Sequence, residues 1–248
     1  MKKTYDLIFG LGPACSCSQT LRKARLQLLS FPFDWFGYTT NELTLHPGDM
    51  PRKVDDICAR FDRWFEREDF EYAFRKVDGQ SIPHNRRTTG ICPHDFHSAE
   101  ELERNFEKVK TKYGRRIERL LDLLDHAKEV LVVRLDAPPG EPPTPDDDCR
   151  YVRRKMTETF AGVHFDIVHF RCEKNRSFKD RTDREIEPGF REIAFDYHDY
   201  TPGKPFYEVK LAETAAALKE VAAVRDYRTP EERRRGRWAA VRKFLHLG

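Results

Sequence analysis

The sequence predicts an α/β fold: a mostly parallel sheet in three layers, with a large helical insertion after the first strand. Four short apolar runs rich in β-branched and aromatic residues, Tyr5–Leu11, Glu129–Leu135, His164–Arg171 and Arg191–Tyr197, read as buried strands. Helical patterns fall between or after several of them, an alternation that favours parallel pairing with helices on the sheet faces. More than a hundred residues separate the first two strands, far beyond an ordinary crossover, and their pattern is mostly helical. That stretch, about 38–127, is the insertion, expected to wall one side of a site.

The first strand stops at Gly10-Leu11-Gly12-Pro13 and hands over to a helix, Ser16–Leu29. A compact run, Phe31-Pro32-Phe33-Asp34-Trp35, follows, and then a second helix, Val54–Phe74. The clearest helix is Ala99–His126, where Leu102, Phe106, Val109, Tyr113, Ile117, Leu120, Leu121 and Leu124 recur at three- and four-residue spacing. Ser98 and Glu101 give it a capping box. After the second strand, Ala137–Asp148 (APPGEPPTPDDD) is too proline-rich for a regular element. It reads as a flap over the carboxyl edge of the sheet or as an inert surface loop. Helices Arg150–Ala161, Val209–Val221 and Pro230–Leu245 complete the pattern.

A chain of 248 residues with no abrupt compositional break is read as one catalytic-type domain over 1–227, followed by a basic terminal helix over 228–248. With 35% charged and 39% hydrophobic residues it is globular in composition and not disordered. No apolar run approaches the ~20 residues of a membrane span, and Met1-Lys2-Lys3 leads into a mixed strand, so a cytoplasmic, thiol-reducing setting is expected. The net charge is +3, yet residues 228–248 carry seven basic and two acidic side chains. This terminal helix is either a solvated face docked on the body or a weak contact for an anionic surface.

Six cysteines (Cys15, Cys17, Cys58, Cys92, Cys149, Cys172) are scattered without a CxxC pair, which argues against a disulfide framework and a four-cysteine zinc site. Cys15 stands apart. A strand that ends in glycines places it near a helix N-terminus, where unpaired N–H groups and the macrodipole favour negative charge. A cysteine nucleophile needs a base and a group to orient that base. His94 and Asp95, on a loop before the capped helix, supply one pair, with Asp34 as the other orienting carboxylate. His198, directly after the fourth strand, competes with His94. Cys92, His94 and His97 are metal-ligand types, but their spacing fits no common zinc pattern, and no metal or cofactor is read from the chain. Neither the spacing from Cys15 or Cys17 to Arg22 nor the Gly10–Gly12 pair matches a phosphatase or dinucleotide loop. Arg115, Arg116 and Arg119 are candidate partners for a carboxylate such as Asp34.

The series Asp6-Leu7-Ile8, Leu11-Gly12, Cys15, Leu21-Arg22, then Phe31-Pro32-Phe33-Asp34-Trp35, His94-Asp95-Phe96, Tyr113 with Arg115-Arg116-Ile117-Glu118-Arg119, and Val130–Arg134 resembles the DUF1796 family, for which papain-like cysteine peptidase activity is inferred. The likeness covers roughly residues 4–135. It implies a cysteine-dependent hydrolase or transferase with Cys15 as nucleophile, His94 as base and Asp34 or Asp95 as orienter. It also implies a papain-like α+β alternative for the fold, in which the nucleophile helix packs on an antiparallel sheet. The leading expectation is therefore hydrolysis or transfer of an acyl group from an amide, thioester or ester. The rival is a non-enzymatic module that binds an anionic ligand, a phosphosugar or nucleotide, through Arg22, Arg115, Arg116 and Arg134.

Overall fold

A computed structural model of the chain describes residues 2–13, 15–39, 49–74, 81–92, 94–136, 143–172, 181–195 and 206–235. The fold is α/β. Its main sheet has the order β2-β7-β8-β10-β9, formed by β2 (Leu7–Gly10), β7 (Glu129–Leu135), β8 (His164–Cys172), β10 (Phe190–Phe195) and β9 (Thr182–Glu187). Strands β2, β7, β8 and β10 are parallel, and β9 pairs antiparallel with β10 at the edge. Central β7 is almost wholly apolar because both of its faces are buried. The edge strand β9, Thr-Asp-Arg-Glu-Ile-Glu, is charged, which discourages pairing with another chain.

Leu131, Val133, Val168, Phe170 and Ile193 bury one sheet face beneath α1 (Ser16–Lys23) and α5 (Phe206–Val221). Val130, Val132, Phe165 and Ile167 bury the other beneath α2 (Met50–Cys58), α3 (Ala99–His126) and α4 (Asp146–Thr159). A separate two-stranded parallel pair joins β1 (Lys3–Tyr5) to β11 (Ala222–Val224).

The insertion, read from its pattern as mostly helical, is less so in the structure. Besides α2 and α3 it holds a four-stranded antiparallel sheet, β3-β6-β5-β4, from β3 (Gly37–Tyr38), β4 (Phe70–Phe74), β5 (Ser81–Asn85) and β6 (Gly90–Ile91). The helix expected over Val54–Phe74 stops at Cys58. Arg60 and Phe61 then adopt left-handed backbone (φ 53° and 58°), and Phe61 N–H donates to the Asp56 carbonyl at 2.7 Å while Arg60 N–H donates to Ile57. This is a Schellman exit built without glycine. The non-glycine left-handed residues cost about 1–2 kcal/mol each, offset by burying Phe61, Trp64 and Phe65 in an aromatic cluster with Phe33, Phe36, Tyr38 and Tyr113.

Helix α1 also ends early, at Lys23 instead of Leu29. Arg25 is left-handed (φ 59°), and Leu26 N–H reaches the Leu21 carbonyl at 2.9 Å in the same motif. Helix α3 begins as expected: Ser98 Oγ accepts from Glu101 N–H at 3.1 Å, and the Glu101 carboxylate accepts from His97 N–H at 2.9 Å. The acidic end of Ala137–Asp148 is a further correction, since Asp146, Asp147 and Asp148 form the first turn of α4. Their charges face the positive end of the helix dipole. The terminal helix Pro230–Leu245 is described as far as Arg235, where residues 230–235 are helical. Among the described residues no helix is long and apolar enough to cross a membrane.

Candidate functional site

Because four strands run parallel, their carboxyl ends share one edge, the place where open α/β sheets bind ligands. Buried charge concentrates there. Side chains of Arg134 and Asp136 at the end of β7, His169 on β8, Glu192 on β10, and Asp49 and Lys53 at the start of α2 are each 3% exposed or less. Arg134 donates to Asp49 Oδ1 and the Leu11 carbonyl, both at 2.6 Å, and to Thr144 Oγ1 at 2.8 Å. Lys53 pairs with Asp49 one helical turn away and donates to the Gly12 carbonyl at 2.6 Å. Burial strips water from its ammonium and lowers its pKa, while Asp49 pulls in the opposite direction.

The network continues from Asp136, whose Oδ1 lies 2.9 Å from His169 Nε2 and accepts from Thr144 N–H at 3.2 Å. Burial alone would raise the Asp136 pKa; the hydrogen bond and charge of His169 outweigh it and hold the carboxyl below its ordinary value. An ionised Asp136 places the proton of His169 on Nε2. From Gly12 to His169 the polar contacts thus cross the sheet beneath its carboxyl edge, and Glu192 stands beside His169 in register, paired with Arg171 and Arg184.

Cys15 sits at the other side of this edge, three residues beyond Gly12. It occupies the N-cap of α1 (φ −60°, ψ −16°), is partly exposed, and its sulfur accepts a hydrogen bond from Gln19 Nε2 at 3.7 Å. The other described thiols are handicapped by burial. Desolvation pushes Cys17 up to about 11 and Cys149 up to about 12, and it raises Cys92 and Cys58 as well. Cys15, Cys17, Cys58, Cys92 and Cys149 are free.

Cys15, Gln19 and Arg22 follow one another at helical spacing on one face of α1. The Arg22 guanidinium lies over the Trp35 ring, 5.7 Å from its centroid, and Trp35 meets the exposed His94 ring edge-on at 5.1 Å. Cys15, Arg22 and His94 therefore flank one surface. Among the described residues no hydrogen bond joins Cys15 to His94, and no carboxylate holds the His94 ring. Both proposed orienters have other partners. Asp34 is buried and accepts from Arg22 at 2.9 Å, Gln27 at 2.6 Å and Phe31 N–H at 3.1 Å, which closes the turn it belongs to. Desolvation nonetheless leaves its pKa raised. Asp95 pairs with Lys112 and accepts from Tyr113 at 2.8 Å.

The arginines divide. Arg134 belongs to the buried network, and Arg115 is exposed on α3. Arg116 lies over the Tyr113 ring with a buried Nη1 that has no hydrogen-bond partner; burial lowers its pKa, with the nearby charges of Arg22 and Arg119 adding to this and Asp34 opposing it. Arg119 reaches the Ser30 carbonyl and Glu232. Neighbouring Lys112 is depressed to about 8 by burial and by Arg116. His198 lies outside the described residues.

Asp49, Lys53, Asp136, His169 and Glu192 were not singled out from the sequence. Asp136 directly after an apolar strand, and Asp49 and Lys53 at i,i+4 where a helix begins, are local signals that were passed over; His169 and Glu192 carry none. A cavity of about 380 Å³ opens at the opposite, amino edge between Tyr5, Arg153, Asp166 and Gly189. Its Asp166 is already engaged by Lys3, Tyr5 and His164. Comparison of the chain with known protein families, with characterised proteins and with solved structures returns no match.

Proposed function

We infer that the carboxyl edge serves a cysteine-dependent hydrolase or acyl transferase acting on an anionic substrate, with Cys15 as the nucleophile. The observation that carries this reading is the contrast among the thiols: Cys15 is partly exposed at the start of α1, while Cys17, Cys58, Cys92 and Cys149 are all pushed toward the inert, protonated form by burial. In this mechanism the sulfur attacks the acyl carbon, N–H groups of the first turn of α1 receive the developing oxyanion, and His94 takes the thiol proton and returns it to the leaving group. Arg22 and Arg116 hold the substrate's negative group. The order of motifs resembling DUF1796 supports the same assignment of Cys15 and His94.

Iodoacetamide labelling at pH 7 with peptide mapping tests it. Cys15 is expected to react faster than Cys58, and Cys15→Ala to abolish turnover of acyl thioesters bearing a carboxylate or phosphate. Labelling of Cys15 no faster than Cys58 removes the nucleophile. A second reading, the non-enzymatic anion-binding module, is favoured by the unpartnered Nη1 of Arg116 and by the engagement of Asp34 and Asp95 away from His94. It predicts ligand binding that survives Cys15→Ala and fails in Arg116→Ala.

A further inference from the structure

We propose that Asp146, His169 and Glu192 form a site for a divalent transition-metal cation, Mn²⁺ being the best match. One ligand atom from each of the three lies within 4.8 Å of the others. Donors bound at about 2.0–2.2 Å around one ion stand roughly 3–4 Å apart, so small side-chain rotations close the set. The backbone brings it together from three elements. Glu192 on β10 is registered against His169 on β8, and Asp146 opens α4 over the same sheet face.

The independent pointer is His169. Its side chain is wholly buried, Nε2 is held by Asp136, and Nδ1 has no hydrogen-bond partner. A carboxylate on the far nitrogen is the arrangement that orients a metal-binding imidazole and raises its basicity. Two carboxylates with one imidazole suit a cation between the hard oxygen-seeking ions and the softer ones, which is why Mn²⁺ leads and Zn²⁺ follows.

Two arginines compete with an ion: Arg184, mostly exposed, pairs with Glu192 Oε1 at 2.8 Å, and the nearer rival for both carboxylates is Arg171. Its Nε lies 2.7 Å from Glu192 Oε2, and its guanidinium also pairs with Asp146. The Arg171 side chain is 21% exposed, so it has a route to solvent when an ion takes its oxygens. A guanidinium clamped on two carboxylates leaves the orphan nitrogen of His169 unexplained; a bound cation accounts for it. This site is independent of the nucleophile assigned to Cys15.

Titration calorimetry of the full chain, stripped with chelator and titrated separately with Mn²⁺ and Zn²⁺, tests the proposal. One Mn²⁺ per chain is expected at micromolar affinity or better. Asp146→Asn and Glu192→Gln each weaken it at least tenfold, Asp136→Asn by about 10–100-fold through loss of His169 orientation, and Arg171→Gln strengthens it. His169→Ala risks the fold because the ring is buried; Asp146→Asn, partly exposed at a helix start, keeps the test open and is checked by circular dichroism. Mn²⁺ binding absent below 1 mM (on the order of −4 kcal/mol) in both the native chain and Arg171→Gln overturns the proposal. So does binding indifferent to Asp146→Asn and Glu192→Gln, which leaves those carboxylates to Arg171 and Arg184.

Discussion

Asp49 serves two cations in a place closed to bulk solvent, and its replacement is the sharpest test of the buried network. Its carboxylate lies 2.6 Å from Arg134 and pairs with Lys53, and all three side chains are fully buried. At an effective dielectric of about 20, two unit charges 4 Å apart interact by roughly 4 kcal/mol. Removing one member of a buried pair costs about 3–5 kcal/mol, because the survivor is stranded. Asp49→Asn takes the carboxylate from Lys53 and leaves Arg134 the more distant Asp136 at 3.9 Å, so with two buried cations affected the upper half of that range is expected at pH 7. At about 2–4 °C per kcal/mol for a chain of this size, Tm falls by roughly 8–20 °C.

The loss carries a pH signature. Lys53 already has a lowered pKa in the native chain because of burial, and without Asp49 it falls further. The unfolded chain then binds more protons than the folded one between the depressed value and the ordinary lysine value of about 10.4, so stability of the variant rises with pH across that window. Urea unfolding followed by circular dichroism at pH 6, 7, 8 and 9 reads both effects. A loss below about 1 kcal/mol, or one that does not shrink toward pH 9, refutes the account. The double variant with Arg134→Met should lose less than the sum of the single changes, since it removes one stranded charge.

Asp166 is held below its ordinary pKa by Lys3 and Tyr5 against the opposing pull of burial. Its contribution is present above the unfolded value of about 3.9 and is lost as pH falls through the lower folded value. Asp166→Asn should therefore cost about 1.5–3 kcal/mol at pH 6, with the gap to the native chain narrowing between pH 4 and pH 2; a gap constant with pH contradicts this. Gly90 is required by contact, because a Cβ there would collide with the Phe36 ring. Gly90→Ala should lower stability by about 1–3 kcal/mol, and adding Phe36→Leu should recover part of it; no recovery means the cause lies elsewhere.

Where local signals agreed with the tertiary structure, the sequence was a sufficient guide. Glu129–Leu135 is apolar from Val130 to Val133 because it is buried on both faces, and Ala99–His126 repeats its apolar residues while Ser98 marks its start; both elements have those bounds in the structure. The failures share a cause. Helices α1 and α2 end in left-handed arginines, Arg25 and Arg60, where the expected stop signal is glycine. Strands β3 and β6 are two residues long and carry no readable alternation. The buried network and the Asp146, His169 and Glu192 cluster were invisible for another reason. Their members are scattered from residue 49 to residue 192, and they become neighbours only through the register of β7, β8 and β10 and the packing of α2 and α4 on that sheet face.

Strand β1 finds its partner at the other end of the chain: Lys3 faces Ala222, Tyr5 faces Val224, and Arg225 closes on both Tyr5 and Asp6. A ribosome emitting this polypeptide exposes residues 3–5 long before residues 222–224 exist. For that interval β1 lacks the strand it pairs with, and that contact is among the most distant in sequence and thus in the slowest class to form. Nascent chains arrested ahead of Ala222 should accordingly be protease-sensitive at Lys3, with protection arriving once the last few dozen residues are released.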